Sequence, residues 1–224
     1  MKKILSIILA IIVISCSSNN KKLSSPDGKI NINFRIDNGV ASYSVKKNNS
    51  VIINESEMGI LFSDGTDLSR NLTINSSSQK SFNEDWYPIY GEEEKINNHY
   101  NEVKISLTNQ KNEFDIIFRA YDDGIAFKYV VPKQKNFSNY DIIDEKTEFN
   151  LSPNDSALWI PAFSYRRYEF LHAFSSVDDI SKDYFSKNVE DISYDTLGID
   201  AAHTPLTIKK SNGSYISIDE ANLI

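Results

Sequence analysis

Apolar and polar residues alternate over Ile30-Asn31-Ile32-Asn33-Phe34-Arg35-Ile36, the period of two that puts every second side chain on one face of a β-strand. Asn38-Gly39 follows, a pair that accepts the positive φ angles of a tight turn, and residues 40–45 return as a second strand. Val51-Ile52-Ile53 and Gly59-Ile60-Leu61-Phe62 are short apolar runs, the second ended by a turn at Asp64-Gly65. Val103, Ile105 and Leu107 alternate with Lys104, Ser106 and Thr108. The clearest pair comes next: Phe114, Ile116, Phe118 and Ala120 share one face, Asp123-Gly124 turns the chain, and Ile125, Phe127, Tyr129 and Val131 share a face on return until Pro132 stops it. Leu206-Thr207-Ile208 and Tyr215-Ile216-Ser217-Ile218 flank a further turn at Asn212-Gly213. Ile117 and Tyr121 lie opposite the Phe114 set, so at least one sheet is expected to be covered on both sides. Helical periodicity is confined to a short stretch over residues 175–184, and the Asn- and Ser-rich segments 47–50, 71–78 and 136–139 read as loops. Many short strands without βαβ alternation predict an all-β fold, a large antiparallel β-sandwich with at most short helices, with residues 25–224 as one domain.

The chain has 224 residues and a formal charge of −7, which becomes −9 once Lys2 and Lys3 are set aside with the first sixteen residues. That acidity excludes a nucleic-acid footprint. One cysteine permits no intrachain disulfide, and a chain of this length can bury a core that needs none. His99, His172 and His203 lack the i, i+4 spacing of a helical zinc site, and the usual Gly-x-Ser-x-Gly, Walker and dinucleotide motifs are missing. Asp122-Asp123 and Asp178-Asp179 are adjacent acids, which point to opposite faces of a strand, and Asp-Gly is ordinary turn chemistry.

The N-terminus reads as an address. Lys2 and Lys3 precede an apolar run over residues 4–14, short of the ~20 residues a spanning helix needs. Val13-Ile14-Ser15-Cys16 resembles a bacterial lipobox, in which the cysteine is lipidated; an ordinary secretory signal with an incidental cysteine is the other reading. Residues 1–16 are therefore expected to be a lipoprotein signal peptide with Cys16 as the lipidation site, and residues 17–24 a polar tether.

Trp86-Tyr87-Pro88-Ile89-Tyr90-Gly91-Glu92 concentrates three rings and an acid between a rigid and a flexible residue. Such rings can stack on sugars or pack on a neighbouring domain, so Trp86, Tyr87, Tyr90 and Glu92 are candidates for a substrate-facing or interdomain surface. Trp159-Ile160-Pro161 and Tyr165-Arg166-Arg167-Tyr168-Glu169 form a second cluster, which adds Trp159 to the candidates.

Leu23-Ser24-Ser25-Pro26-Asp27-Gly28, the Trp86–Glu92 segment, Tyr100-Asn101-Glu102 and Phe118-Arg119-Ala120-Tyr121-Asp122-Asp123-Gly124 occur in the order seen in the N-terminal domain of glycoside hydrolase family 97. Thr204-Pro205-Leu206-Thr207-Ile208 and Tyr215-Ile216-Ser217-Ile218-Asp219-Glu220-Ala221 also resemble that family, so the likeness runs over residues 23–224. It implies a galactose-mutarotase-like super-sandwich, the first part of exported, calcium-dependent α-glucosidases and α-galactosidases whose catalytic carboxylates lie on a following (β/α)8 barrel. The matching position for the family's sandwich-borne calcium ligand is Glu220, with Asp219 standing where histidine is usual.

The resemblance thus implies a fragment or one half of a split enzyme. It would be inactive alone, would wall an active-site cleft that takes an α-linked oligosaccharide, and would supply one ligand to calcium completed by a barrel that is missing here or separately encoded. The expected location is the periplasm or outer-membrane surface of a Gram-negative bacterium, anchored through the lipid. The alternative is a stand-alone carbohydrate-binding lipoprotein, which needs no barrel.

Overall fold

A computed structural model describes residues 19–109, 111–134, 140–162, 169–190 and 200–221. The segment expected to be a signal peptide, with Cys16, the residues 136–139 and the residues 165–168 lie outside the described residues. The chain divides into two compact units, one of residues 1–50 and 57–148, the other of residues 51–56 and 149–224.

The first unit holds β1 (Asn20–Ser24), β2 (Ile30–Asp37), β3 (Val40–Lys47), the two ends of β4 (Ser50–Met58), β5 (Ile60–Phe62), β6 (Thr73–Trp86), β7 (Ile96–Thr108), β8 (Glu113–Ala120), β9 (Ile125–Val130) and β10 (Ile142–Glu145). β1, β2 and β3 pair antiparallel side by side, β6-β7-β8-β9 form a second antiparallel sheet, and β5 pairs with β10. Period-two burial decides how the sheets meet. Ile30, Ile32, Phe34 and Ile36 are buried on β2, and Phe114, Ile116, Phe118 and Ala120 on β8, so each sheet turns one apolar face to the other. Phe118 sits 6.0 Å from Phe34 and 5.9 Å from Tyr43, ring centre to ring centre, and Phe127 lies 5.5 Å from Tyr43. The all-β sandwich read from the sequence is therefore the fold observed. Asn38 and Gly39 both take positive φ, 49° and 78°, as the two-residue hairpin requires.

Three elements differ from the expectation. Residues 20–24, expected as part of a polar tether, form β1: they pair with β2 from Asn20↔Arg35 to Ser24↔Asn31, and Leu23 is buried in the core, so backbone pairing and one apolar anchor tie this segment to the sheet. Residues 71–78 do not form a loop: from Thr73 onward they open the fourteen-residue strand β6, paired with β7 along its length. As an edge strand exposed on both faces it carries Ser, Asn, Gln and Lys, so main-chain bonding to β7 makes the strand while no hydrophobic period marks it. Ile117 is only half-buried, and the face of β8 opposite Phe114 is polar and partly open.

Tyr43 and Tyr129 are the ionisable groups most affected by this core. Tyr43 donates its hydroxyl to the Glu148 carbonyl at 2.9 Å, and burial raises its phenol well above the ordinary tyrosine range. Burial likewise pushes Tyr129 up to about 12, against the opposing hydrogen bonds with Thr147 and the Gly59 amide. A raised folded-state value stabilises the native form fully below the unfolded value of about 10 and is lost above it. Urea-unfolding stability is thus expected to fall between about pH 10 and pH 12; a flat profile there would contradict the burial of these two phenols.

The second unit holds β11 (Ser156–Trp159), β12 (Ala173–Ser176), a 3-10 turn (Val177–Asp179), α1 (Lys182–Asn188), β13 (Leu206–Lys209) and β14 (Tyr215–Ile218). The four strands lie in the order β12-β11-β13-β14, all antiparallel. The short helix begins later than residues 175–184 imply, because residues 173–176 pair with β11 and the Ser181 hydroxyl, accepting from the Tyr184 amide at 3.1 Å, starts the helix there. Ala157, Trp159, Phe170, Ala173, Phe185 and Ile208 make this unit's core. The buried Asp155 carboxylate accepts from the Ser152 and Ser211 amides and from the Lys210 ammonium, which also donates to the Ile52 carbonyl at 3.0 Å.

Candidate functional site

β6 and β7 outrun the rest of their sheet. β8 pairs with β7 only from Asn101, whereas β6 stays paired from Phe82↔Tyr100 through to Trp86↔Ile96. That leaves a two-stranded arm of roughly 17 Å at about 3.4 Å per residue. A polar ladder stiffens it: the Asn97 amide donates to Asn83 and Asp85, both at 2.8 Å, and Lys95 pairs with Asp85 at 3.1 Å. These contacts hold the Asp85 carboxyl below the usual range, with Asn97 the larger cause and Lys95 the next.

Three of the sequence motifs converge at the base of this arm. The Asn101 amide donates to the Ser24 carbonyl at 2.8 Å, and the Asp27 amide to the Asp122 carboxylate, also at 2.8 Å. The buried Glu102 bridges Arg119 at 2.8 Å and Lys80 at 3.1 Å across neighbouring strands. Burial opposes its charge, yet the bonds from Arg119 and Lys80 outweigh it and lower the carboxyl's pKa. The Arg119 guanidinium lies 4.4 Å above the Tyr100 ring, which stacks at 5.2 Å on Phe82 and meets Tyr121 at 5.2 Å. Asp27 is held far below the usual carboxylate range by the Ser25 hydroxyl and the Lys29 amide. Residues that looked like separate motifs are thus one assembly that anchors the arm. The sequence signalled them by order alone; their meeting depends on strand register.

Trp86, Tyr87, Tyr90 and Glu92 sit together at the end and tip of the arm, all exposed. Ile89 beside them is 99% exposed and Tyr90 89%. The inner side of this region is a shallow groove of about 440 Å³ lined by Trp86, Ile96, residues 97–99 and residues 121–123.

Trp159 does not belong with them. Only 2% exposed, it faces the core of the second unit on the same side of β11 as Ala157, and its indole N–H donates to the Ser175 hydroxyl at 2.9 Å. A surface role for Trp159 is corrected to a packing role: alternation along β11 turns it inward, and Ser175 satisfies its one polar group.

Glu220 is exposed just past β14, and its amide donates to the Asp219 carboxylate at 2.9 Å. Among the described residues no three His, Cys, Asp or Glu side chains gather to hold a metal ion. Calcium takes roughly six to eight oxygens, so the described residues do not by themselves fit a calcium ion; Glu220 is one hard-oxygen donor.

Comparison with known proteins gives one direction. The sequence profile of the Glycosyl-hydrolase 97 N-terminal family matches residues 23–224. A Retaining alpha-galactosidase of Bacteroides thetaiotaomicron is 26% identical over 163 residues, 72% of this chain but 23% of that protein. A Probable retaining alpha-galactosidase of Streptomyces bingchenggensis is 28% identical over 130 residues, 58% of this chain and 19% of that protein. A Glycoside Hydrolase Family 97 enzyme from Pseudoalteromonas sp. strain K8, solved in complex with acarbose, superposes with a TM-score of 0.78 at 31% identity, over 91% of this chain and 29% of that one. A crystal structure of a beta-arabinopyranosidase, at 18% identity and a TM-score of 0.73, shares the fold. The chain therefore spans about a fifth to a quarter of the length of the curated relatives it matches.

Proposed function

Because the chain belongs to the Glycosyl-hydrolase 97 N-terminal family, we propose that it serves an exported family 97 α-glycosidase as the sandwich that walls the substrate cleft, with catalysis carried by a barrel on another segment. The observation that carries this reading is the match over residues 23–224 at only about a fifth to a quarter of the relatives' length. In this role the exposed Glu220 contributes one oxygen ligand to a calcium ion completed by carboxylates of that other segment. Tyr87, Ile89 and Tyr90, apolar and exposed at the arm's tip, form its contact with the barrel, where burial at ~25 cal/mol per Å² would favour docking. The Lys2–Cys16 segment supports, as part of this proposal, a lipid-anchored component of a Gram-negative periplasm or outer membrane. An α-linked glucoside or galactoside is the substrate class of the assembled enzyme.

Purified chain, assayed with p-nitrophenyl α-glucoside and α-galactoside in the presence of calcium, is expected to show no turnover above a Glu220→Ala control. A family 97 barrel expressed without its own sandwich should regain activity when this chain is added, and less with Glu220→Ala. Turnover by the chain alone would overturn the assignment of catalysis to another segment.

A further inference from the structure

The groove beside Trp86 differs in chemistry from the arm's tip. Tyr87, Ile89 and Tyr90 at the tip are apolar side chains standing in water, the composition of a protein contact. The groove instead sets two aromatic side chains, Trp86 and Tyr121, and the apolar Ile96 among Asn98, His99, Asp122 and Asp123. Trp86 is 48% exposed, leaving ring surface open, and its strand partner Ile96 extends the apolar strip.

The polar groups keep hydrogen-bonding capacity to spare. Asp122 spends one carboxylate oxygen on the Asp27 amide, and Asp123 bonds to no other described residue. Asn98 donates to Glu84 at a long 3.3 Å. The walls do not depend on the ligand for their shape: Tyr121 packs on Tyr100 beneath Arg119, and Asp122 is tied to the Ser25–Gly28 turn. At about 440 Å³ the groove falls within the roughly 300–1,000 Å³ of small-molecule sites.

A ligand that fits must offer an apolar face to the indole and hydroxyl donors at its edge to the carboxylates. A pyranose ring has both, its axial C–H groups on one face and its hydroxyls around the rim. We propose that the groove formed by Trp86, Ile96, Tyr121, Asp122 and Asp123 is a carbohydrate subsite that holds one sugar of an oligosaccharide, with Trp86 as the stacking platform. The site lies wholly in the first unit and asks nothing of calcium, Glu220 or a barrel. Its failure would leave the proposed function standing, and the reverse.

The chain's two tryptophans make the test direct, because Trp159 is buried and Trp86 is half in water. Acrylamide quenching of the whole chain, dominated by Trp86, is measured during titration with maltotriose and separately with melibiose. Saturable protection by either sugar is the expected result, and which one protects assigns a glucoside or a galactoside. Titration calorimetry then compares the chain with Trp86→Ala, an exposed position whose loss leaves the core intact, and with the tip variant Ile89→Ser. Affinity should fall about tenfold or more in Trp86→Ala, equivalent to ~1.4 kcal/mol, and stay unchanged in Ile89→Ser. No protection by either sugar, binding that survives Trp86→Ala, or binding lost in Ile89→Ser would each overturn the proposal; the last would move the sugar contact from the groove to the arm's tip.

Discussion

Phe118→Ala is expected to lower the unfolding free energy by ~3–5 kcal/mol, the range for a large aromatic truncated in a core that cannot collapse around the gap. Phe118 has no exposed surface, and its ring is in contact distance of Phe34 and Tyr43 from the facing sheet and of Phe127 from its own, at 6.0, 5.9 and 5.7 Å. It is paired on both sides, with Val103 on β7 and Phe127 on β9, so the backbone cannot move in to fill the space. Domains are stable by only ~5–15 kcal/mol, so this one change removes a large share. Urea unfolding followed by near-ultraviolet circular dichroism measures it. Phe82→Ala, at a half-buried ring on the edge strand, should cost clearly less; equal losses would mean that the inter-sheet aromatic cluster is not the centre of this unit's stability.

Phe118 was legible in the sequence for the same reason that it matters. Where one face of a strand meets a core, as on β2 and β8, the requirement for burial writes a period of two into the residues. Asn38-Gly39 was legible because few pairs accept two successive positive φ angles. β6 was not, since both its faces meet water and its existence rests on main-chain bonds to a partner more than twenty residues away at its start. The candidate site divides along the same line. The aromatic concentration over Trp86–Glu92 could be seen in the residues, but the arm that presents it follows from the pairing of that polar strand. Likewise Tyr100 and Glu102 lie in one motif and Arg119 in another, and their meeting is fixed by register across β7 and β8. Trp159 shows the limit from the other side: composition treats every tryptophan alike, and only its place on β11 opposite Ala173, with its indole N–H on the Ser175 hydroxyl, distinguishes a packed ring from a presented one.

The second large effect is expected at Asp155, where alanine should cost ~3–5 kcal/mol, the penalty for breaking a buried ion pair from one side. Asp155 is fully buried and Lys210 is 7% exposed. Losing the carboxylate strands the Lys210 ammonium with the Ile52 carbonyl as its remaining acceptor among the described residues and orphans the amides of Ser152 and Ser211. Lys210→Met alone should hurt less, because Asp155 would keep its two amide donors while losing its counter-charge. The double variant Asp155→Ala/Lys210→Met should recover part of the loss, since no unpaired ammonium is left in the interior, although the two amides stay unsatisfied. Trp159 reports on this unit by its fluorescence, being buried among Ala157, Phe170, Phe185 and Ile208, and Trp86→Phe removes the competing signal. Urea unfolding of the four proteins in that background closes a double-mutant cycle. Coupling of about 1 kcal/mol or more is expected; additive losses, or an Asp155→Ala loss under ~1 kcal/mol, would mean that solvent reaches the pair and that the second unit does not depend on it.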